Sequence, residues 1–364
     1  MVVLTCIYIF YFLLLITLLV GWKRAMQKQK EPSHAKELLI SVIIPVRNEE
    51  FTIGKLLTDL SLQAYKKFEI IVVNDHSEDE TLWVLSQFDL KNLNIINNKG
   101  SGKKAAISSA IRMAKGSLIV TTDADCSVSS EWLKQIHEQF RNKKVMMTFG
   151  GVRMEGDHSF FSSLQAIEFS SLIGSGAATA ALGVPTMCSG ANLAFRKKVF
   201  SEVKGYQGNL QIPSGDDEFL MEKIQKRYPE SIYFLNHPQA VVTTSPESSL
   251  EGFFYQRIRW ASKWRFNSSR FPKALAVFIL LIQISFLINW IFVFTSLDIQ
   301  SLFILTVKMI LEAAFLLQVC RFMLTRWNWL AFFALQLIYP LYVTIIAVGS
   351  FFVSFQWKNR IFRS

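Results

Sequence analysis

Four stretches of this sequence are apolar for long enough to decide where the chain resides. Residues 2–22, 274–294, 302–324 and 330–355 run nearly without charge. A bilayer core about 30 Å thick takes a helix of roughly 20 residues. Backbone in hydrocarbon must satisfy its own hydrogen bonds, so such stretches are expected as helices. The first lacks a basic leader and a small-x-small cleavage site, and Lys23, Arg24, Lys28 and Lys30 follow it at once. That pattern marks a membrane anchor (1–22) with its carboxyl end in the cytoplasm, followed by a basic linker (23–37), rather than a cleaved signal peptide. The other three form a membrane segment over 271–355, ahead of a basic tail at 356–364. Within it Lys308 and Glu312 stand one helical turn apart, near enough to pair, and Pro340 predicts a kink. One span before the middle of the chain and three after it would leave the tail outside. Lys358, Arg360 and Arg363 argue for inside. Either one late segment is re-entrant, the one carrying Lys308 and Glu312 being the candidate, or the tail breaks the rule.

Composition agrees. The chain is 51% hydrophobic with 31 Phe, too apolar for a soluble enzyme of 364 residues. Its net charge of +11 is concentrated beside the apolar segments, which fits cytoplasmic flanks and anionic membrane lipids. No zinc finger or other nucleic-acid module is present, so nucleic acid is not an expected partner. The four cysteines (Cys6, Cys126, Cys188, Cys320) form no Cys-x-x-Cys pair. This argues against a disulfide framework or structural zinc and fits a reducing compartment.

Residues 38–270 carry a different pattern. Short β-branched runs at 38–46, 68–74, 93–97, 118–122 and 146–152 alternate with segments of helical spacing at 52–63, 79–88, 100–114 and 129–140. Such alternation predicts an α/β domain, Rossmann-like, with a mostly parallel sheet flanked by helices. Further on, 160–184 is apolar but rich in Ser, Gly and Ala, and 250–268 is aromatic and basic. Both read as interfacial helices at a membrane surface, with a plain buried helix pair the alternative for the first. Gly100-Ser101-Gly102-Lys103-Lys104 fails the nucleotide-triphosphatase spacing. It remains either an anion-attracting helix start or a solvated loop.

Ligands of open α/β sheets bind beyond the carboxyl ends of the strands. Three strands end there in polar groups: Asn48 and Glu49 after the first, Asp75 after the second, Asp123 and Asp125 after the fourth. In an extended segment i and i+2 side chains point the same way. Asp123 and Asp125 therefore suit a hard divalent cation that completes its shell with phosphate and water.

The stretches SVIIPVRNEE, VVNDHSED, TTDADC, SGANLAF, SGDDEFL and QRIRW occur in that order over 41–264. In this the chain resembles the membrane-bound family-2 glycosyltransferases of the GT-A fold. The resemblance implies an inverting transfer from a nucleoside diphosphate sugar, dependent on Mg²⁺ or Mn²⁺. It places the nucleotide sugar on Pro45, Asn48, Glu49, Asp75, Lys103, Asp123, Gln256, Arg259 and Trp260. The metal falls on Asp125 and Asp123, with Asp125 the direct ligand. Asp217 becomes the general base beside Asp216, which stands where many relatives have Glu. Lys103, Lys104 or Arg259 would face the leaving diphosphate. Trp260 offers a flat surface for a sugar ring or base, or simply packs. The implied acceptor is a lipid or a glycan, and the small set of spans favours a lipid. A polysaccharide-elongating synthase is the alternative, and a non-catalytic membrane scaffold a remote one, since every expected acid is present.

Overall fold

The computed structural model describes residues 2–27, 36–212, 214–263, 270–352, 355–357 and 360–362. Most of the expected linker, the end of the expected helix at 250–268 and part of the basic tail lie outside the described residues. The chain opens with helix α1 (Val2–Ala25) and then enters a seven-stranded sheet of order β3-β2-β1-β4-β7-β5-β8. Strands β1 (Ile40–Val46), β2 (Phe68–Asn74), β3 (Leu93–Asn97) and β4 (Leu118–Thr121) are parallel. Helices α2 (Ile53–Ser61), α3 (Thr81–Ser86) and α4 (Lys103–Met113) make the crossovers. β1 and β4 are buried along almost their whole length, which is why their sequences run apolar rather than alternating. After α5 (Trp132–Phe140) come β5 (Met147–Gly150) and β6 (Val152–Met154), where one strand is expected from sequence. β7 (Leu193–Arg196) then runs antiparallel to both β4 and β5, and β8 (Ile232–Leu235), which the sequence reading passes over, adds in parallel to β5. β6 pairs with β9 (Val242–Thr244) as a small separate ribbon.

Pro45 shows how the sheet makes room for a site. A proline inside a doubly paired strand would forfeit a ladder bond. β4 pairs with β1 only over Ile40 to Ile43, whereas β2 stays with it to Val46. The carbonyl of Ile43 faces β4, accepting from Thr122 N, and that of Val46 faces β2, accepting from Asp75 N. Backbone direction repeats every two residues, so the nitrogen of Pro45 faces the side that β4 has already left. The two strands fork there, at the carboxyl edge of the sheet.

The remaining helices belong to this domain, to the membrane segment or to the seam between them. They are α6 (Phe160–Ala181), α7 (Lys197–Glu202), α8 (Asp216–Arg227), α9 (Leu250–Ser262), α10 (Arg270–Ser296), α11 (Ile299–Met323) and α12 (Trp329–Phe352). Among the described residues four helices are long and apolar enough to cross a membrane: α1, α10, α11 and α12. One continuous core runs from the sheet to Trp22 of α1, to Phe315, Val319 and Met323 of α11, and to Phe332 of α12. Helix α6 is the mortar. It packs on α1, α11 and α12 through small residues. A Cβ on Gly21 would stand 2.6 Å from the Ala178 carbonyl oxygen, and one on Gly174 2.6 Å from Val319 Cγ2. Deeper between the helices, Lys308 Nζ donates to Glu312 at 2.9 Å and to Gln336 at 2.5 Å, and Tyr11 donates to Glu312 at 2.6 Å. The pair one turn apart is thus closed by neighbours from α1 and α12, as ionisable groups within a span require. α11 runs beside α1 from this cluster back to the main core. The second half of α12 lies on α9, with Ile346 and Tyr342 against Ile258. The terminal hairpin, β10 (Phe355–Trp357) and β11 (Arg360–Phe362), also packs on α9 through β10.

The close crossing of α1 and α6 predicts that Gly21→Leu destabilises the detergent-solubilised protein by about 1–3 kcal/mol, read as a lowered melting temperature. An unchanged melt would show that the helices are not in contact there.

Candidate active site

The site lies at the fork between β1 and β4 and is assembled by loops that hold one another. Arg47 is buried, and its guanidinium donates to the carbonyls of Asp75 (3.0 Å) and His76 (2.7 Å) and to the Glu78 carboxylate (3.0 Å). Asn48 and His76 both adopt positive φ. Asn48 Oδ1 accepts from Glu78 N, and the hydroxyl of Thr81 accepts from Glu49 N. Two βα loops are thereby laced together, with Pro45 and Asp75 between them. Asp75 is 3% exposed, and its carboxylate accepts from Gly102 N (3.1 Å) and Asn98 Nδ2 (2.7 Å). It thus fixes the glycine-rich turn that opens α4. Gly102, with φ +89°, is where a side chain would be strained.

The turn aims Lys103 at the acids. Its ammonium donates to Asp123 Oδ1 at 2.6 Å and stands 3.5 Å from Asp216 Oδ2. Burial alone would lower this lysine, but the charges of Asp123 and Asp216 outweigh it and hold it above the ordinary lysine range. For Asp216, burial acting to raise the acid is overcome by Lys103 and Lys104, so it titrates below its usual value. Asp216 and Asp217 begin α8, where the helix dipole favours negative charge. Gly215 precedes them in the left-handed conformation, φ +77°. Asp217 Oδ2 accepts from Gly190 N at 3.0 Å, and Thr121 Oγ1 donates to the Gly190 carbonyl at 2.9 Å. A Cβ on Gly190 would lie 3.3 Å from Lys103 Nζ and 3.2 Å from Asp216 Oδ2. The SGANLAF stretch thus passes through the centre as bare backbone.

Asp125, the other member of the acidic pair, accepts from Thr244 Oγ1 of β9 at 3.2 Å. Among the described residues no cluster of three or more His, Cys, Asp or Glu forms a ready-made cation cage. The pair Asp123 and Asp125 fits a hard cation that takes the rest of its shell from phosphate and water.

Helix α9 closes the far side. Gln256 Nε2 donates to Glu247 at 2.7 Å. Arg259 is held below the usual arginine range by burial, against the opposing charges of Asp123, Asp216, Glu247 and Asp217. Trp260 packs on Phe169 with ring centroids 5.6 Å apart and takes the Arg257 guanidinium over its face at 4.3 Å. It still lines the cavity. Arg257 and Glu168 form an ion pair at 2.6 Å, with 3% and 5% of their side chains exposed. Lys263 and Glu218 form another at 2.8 Å. Nothing in the sequence marks Arg257 and Glu168 as partners. The one legible signal of the pair is an acid inside the apolar stretch 160–184.

A cavity of about 1330 Å³ is lined by Asp75, Lys103, Asp123, Asp125, Asp217 and Trp260 among others. Of the residues expected at the site from sequence, all but Asn48 and Lys104 line it; Lys104, expected beside a diphosphate, is instead drawn to the carbonyls of Asn209, Ile212 and Ser214. The cavity continues between the membrane helices, past Leu15, Ile279, Phe315 and Val343, to Lys308, Glu312 and Gln336.

An α/β domain with a mostly parallel sheet, acids at its carboxyl edge and a cavity entering a helix bundle defines a GT-A-type enzyme fold on a membrane base. Residues 41–204 match the model of Glycosyl transferase family 2, and the chain carries a family-2 glycosyltransferase domain. It is 25% identical over 269 residues to a poly-beta-1,6-N-acetyl-D-glucosamine synthase of Staphylococcus epidermidis, covering 70% of this chain and 63% of the relative. The Staphylococcus aureus (strain COL) protein of that name is 26% identical over 264 residues, with the same coverages. The chain therefore spans about 63% of the length of these relatives. Among solved structures, a mannosyltransferase from Pyrobaculum calidifontis in complex with GDP-Man and Mn²⁺ superposes with a TM-score of 0.57 at 18% identity, over 95% of this chain and 98% of that one. That likeness is one of fold.

Removing one partner of a buried ion pair leaves an uncompensated charge, at a cost of about 3–5 kcal/mol. Glu168→Gln is expected to lower thermal stability by that order, measured by melting in detergent. A melt equal to wild type would show that Arg257 does not depend on Glu168.

Proposed function

We propose that this chain transfers a sugar from a nucleoside diphosphate sugar to a hydroxyl of a lipid-type acceptor, with inversion, at the cytoplasmic face of a membrane. The observation that carries the reading is the continuity of the cavity. It runs from Asp75, Asp123 and Asp125, past Asp217 and Trp260, to apolar side chains of the membrane helices. A donor entering at the β1–β4 fork and an acceptor entering from the bilayer would meet at the acids.

In this reading the loops of Pro45, Asn48, Glu49 and Asp75 hold the nucleoside. Lys103 and Arg259 face the diphosphate, and Gln256 and Trp260 bound the sugar. Asp125 and Asp123 would hold Mg²⁺ or Mn²⁺, which supplies Lewis-acid neutralisation of the leaving group's charge. Asp217 takes the proton of the acceptor hydroxyl. Its oxygen attacks the anomeric carbon from the face opposite the diphosphate, the new C–O bond forms, and the diphosphate departs with the electrons of the old one. Gly190 N–H holds Asp217 in place, and Asp216, balanced by Lys103, supports it as a charged neighbour.

A second reading is a polysaccharide-elongating synthase using the same centre. The relatives are named as such synthases, and the polar cluster of Lys308, Glu312 and Gln336 within the cavity would suit a hydroxyl-rich chain.

The test is a screen of nucleotide sugars, UDP-N-acetylglucosamine and GDP-mannose among them, with Mn²⁺ and the purified full chain in lipid. One donor is expected to turn over. A positioned carboxylate base contributes about 10²–10⁴-fold, so Asp217→Asn should lower transfer by that factor while nucleotide binding persists. Full transfer by Asp217→Asn would remove Asp217 from the role of base.

A further inference from the structure

Lys104 follows Lys103 in the chain yet serves a different part of the site. Its side chain is buried, 5% exposed. All three of its donors are taken by carbonyl oxygens of one loop: Asn209 at 2.8 Å, Ile212 at 2.9 Å and Ser214 at 2.9 Å. The ammonium also lies 4.9 Å from the ring centroid of Phe219, on the first turns of α8. Those carbonyls belong to the approach to Gly215, Asp216 and Asp217. Among the described residues the Asn209 amide bonds to the Tyr206 carbonyl and the Ile212 amide to the Asn209 carbonyl, while Lys223 of α8 ties the Gly205 and Gln207 carbonyls just before them.

We propose that Lys104 is a positioning residue that sets the proposed base Asp217 by gathering the carbonyls of Asn209, Ile212 and Ser214 onto the start of α4. The inference rests on the glycosyl-transfer reading above. Its physical content is a linkage. Asp75, on the nucleoside side, fixes Gly102 N–H and so the first turn of α4. From that turn Lys103 reaches Asp123 and Asp216, and Lys104 reaches the loop that delivers Asp217. The nucleoside loop is thus joined through one helix start to Asp216, by Lys103, and to the carbonyls that precede Asp217, by Lys104. An ammonium suits the task because it carries three donors and no acceptor. Fixed carbonyl dipoles replace its water. Burial brings it down to about 8, with Asp216 and Asp217 opposing the fall and Lys263 and Lys223 adding to it. Gly190, on the other side of Asp217, supplies the opposing hydrogen bond, so the carboxylate is gripped between a backbone amide and the loop that Lys104 holds.

A misplacement of about 1 Å in a reacting group can cost on the order of 10²-fold in rate. Lys104→Met in the full chain, assayed with whichever of UDP-N-acetylglucosamine and GDP-mannose the wild type uses, is therefore expected to lose kcat by about that factor with the donor KM unchanged. Lys104→Arg, which keeps a multi-donor cation, should recover most of the loss. Should Lys104→Met fail to fold, Lys104→Gln takes its place with the same expected split. Wild-type kcat in the variant, a donor KM that rises in step with the loss, or no rescue by arginine would each overturn the proposal. Hydrogen exchange over 205–217 separates this from the broader reading. Lys104→Met should speed exchange there and leave 40–75 unchanged, whether or not any donor turns over. Unchanged exchange overturns the role of Lys104 alone, whereas a wild type inert toward every donor overturns the transfer reading alone.

Discussion

The site depends on one half-buried cation, Lys103, placed among carboxylates. Asp123, Asp216 and Asp217 come from two distant parts of the chain, and carboxylates gathered in a poorly solvated cavity repel one another. Lys103 holds Asp123 and Asp216 together. The lysine can do so because Asp75 pins the turn before it and because Gly190 offers no side chain in its path. Remove any of these and the acids have no reason to converge. In the proposed reading Lys103 and Arg259 would also face the diphosphate, where charge is least screened and worth most.

The second constraint is the seam between the α/β domain and the membrane helices. Trp22, Phe315, Met323 and Phe332 belong to the same core as the sheet, so the cavity has one rigid wall across the seam rather than a hinge. Helix α6 makes this possible with glycine and alanine, which let α1 and α11 approach at backbone distance. It also carries Glu168 to Arg257 of α9. Trp260, packed between Phe169 and that guanidinium, is thereby fixed relative to the acids. Its packing partners and its place on the cavity wall are compatible.

Much of this was legible in the residues. Buried parallel strands announce themselves as apolar runs, so β1, β2 and β4 fall within a residue or two of their expected bounds, and the more exposed edge strand β3 also keeps its expected bounds. Acids at strand ends are conspicuous for the same reason, and Asp75, Asp123 and Asp125 follow directly from strand positions. Less legible were β8, whose Ile232–Leu235 run is only four residues long, and the division of 146–152 into β5 and β6. Short runs do not sustain a period. Contacts made by backbone were invisible: nothing in Gly190 or in the carbonyls of Asn209 and Ile212 betrays what they bond. Lys103 and Lys104 look interchangeable in sequence, yet one faces the acids and the other faces a loop, because consecutive residues at a helix start diverge by about 100°.

The central claim is that donor and acceptor sites are two ends of one cavity that opens between membrane helices. The mass and partitioning of the reaction product test it most directly. After incubation of the full chain in lipid with its donor and Mn²⁺, the account predicts a product that extracts into organic solvent and is heavier than a lipid acceptor by one sugar. A water-soluble polymer of many sugars would contradict the lipid acceptor, and release of free sugar alone, with no acceptor modified in the presence of lipid, would contradict the shared cavity.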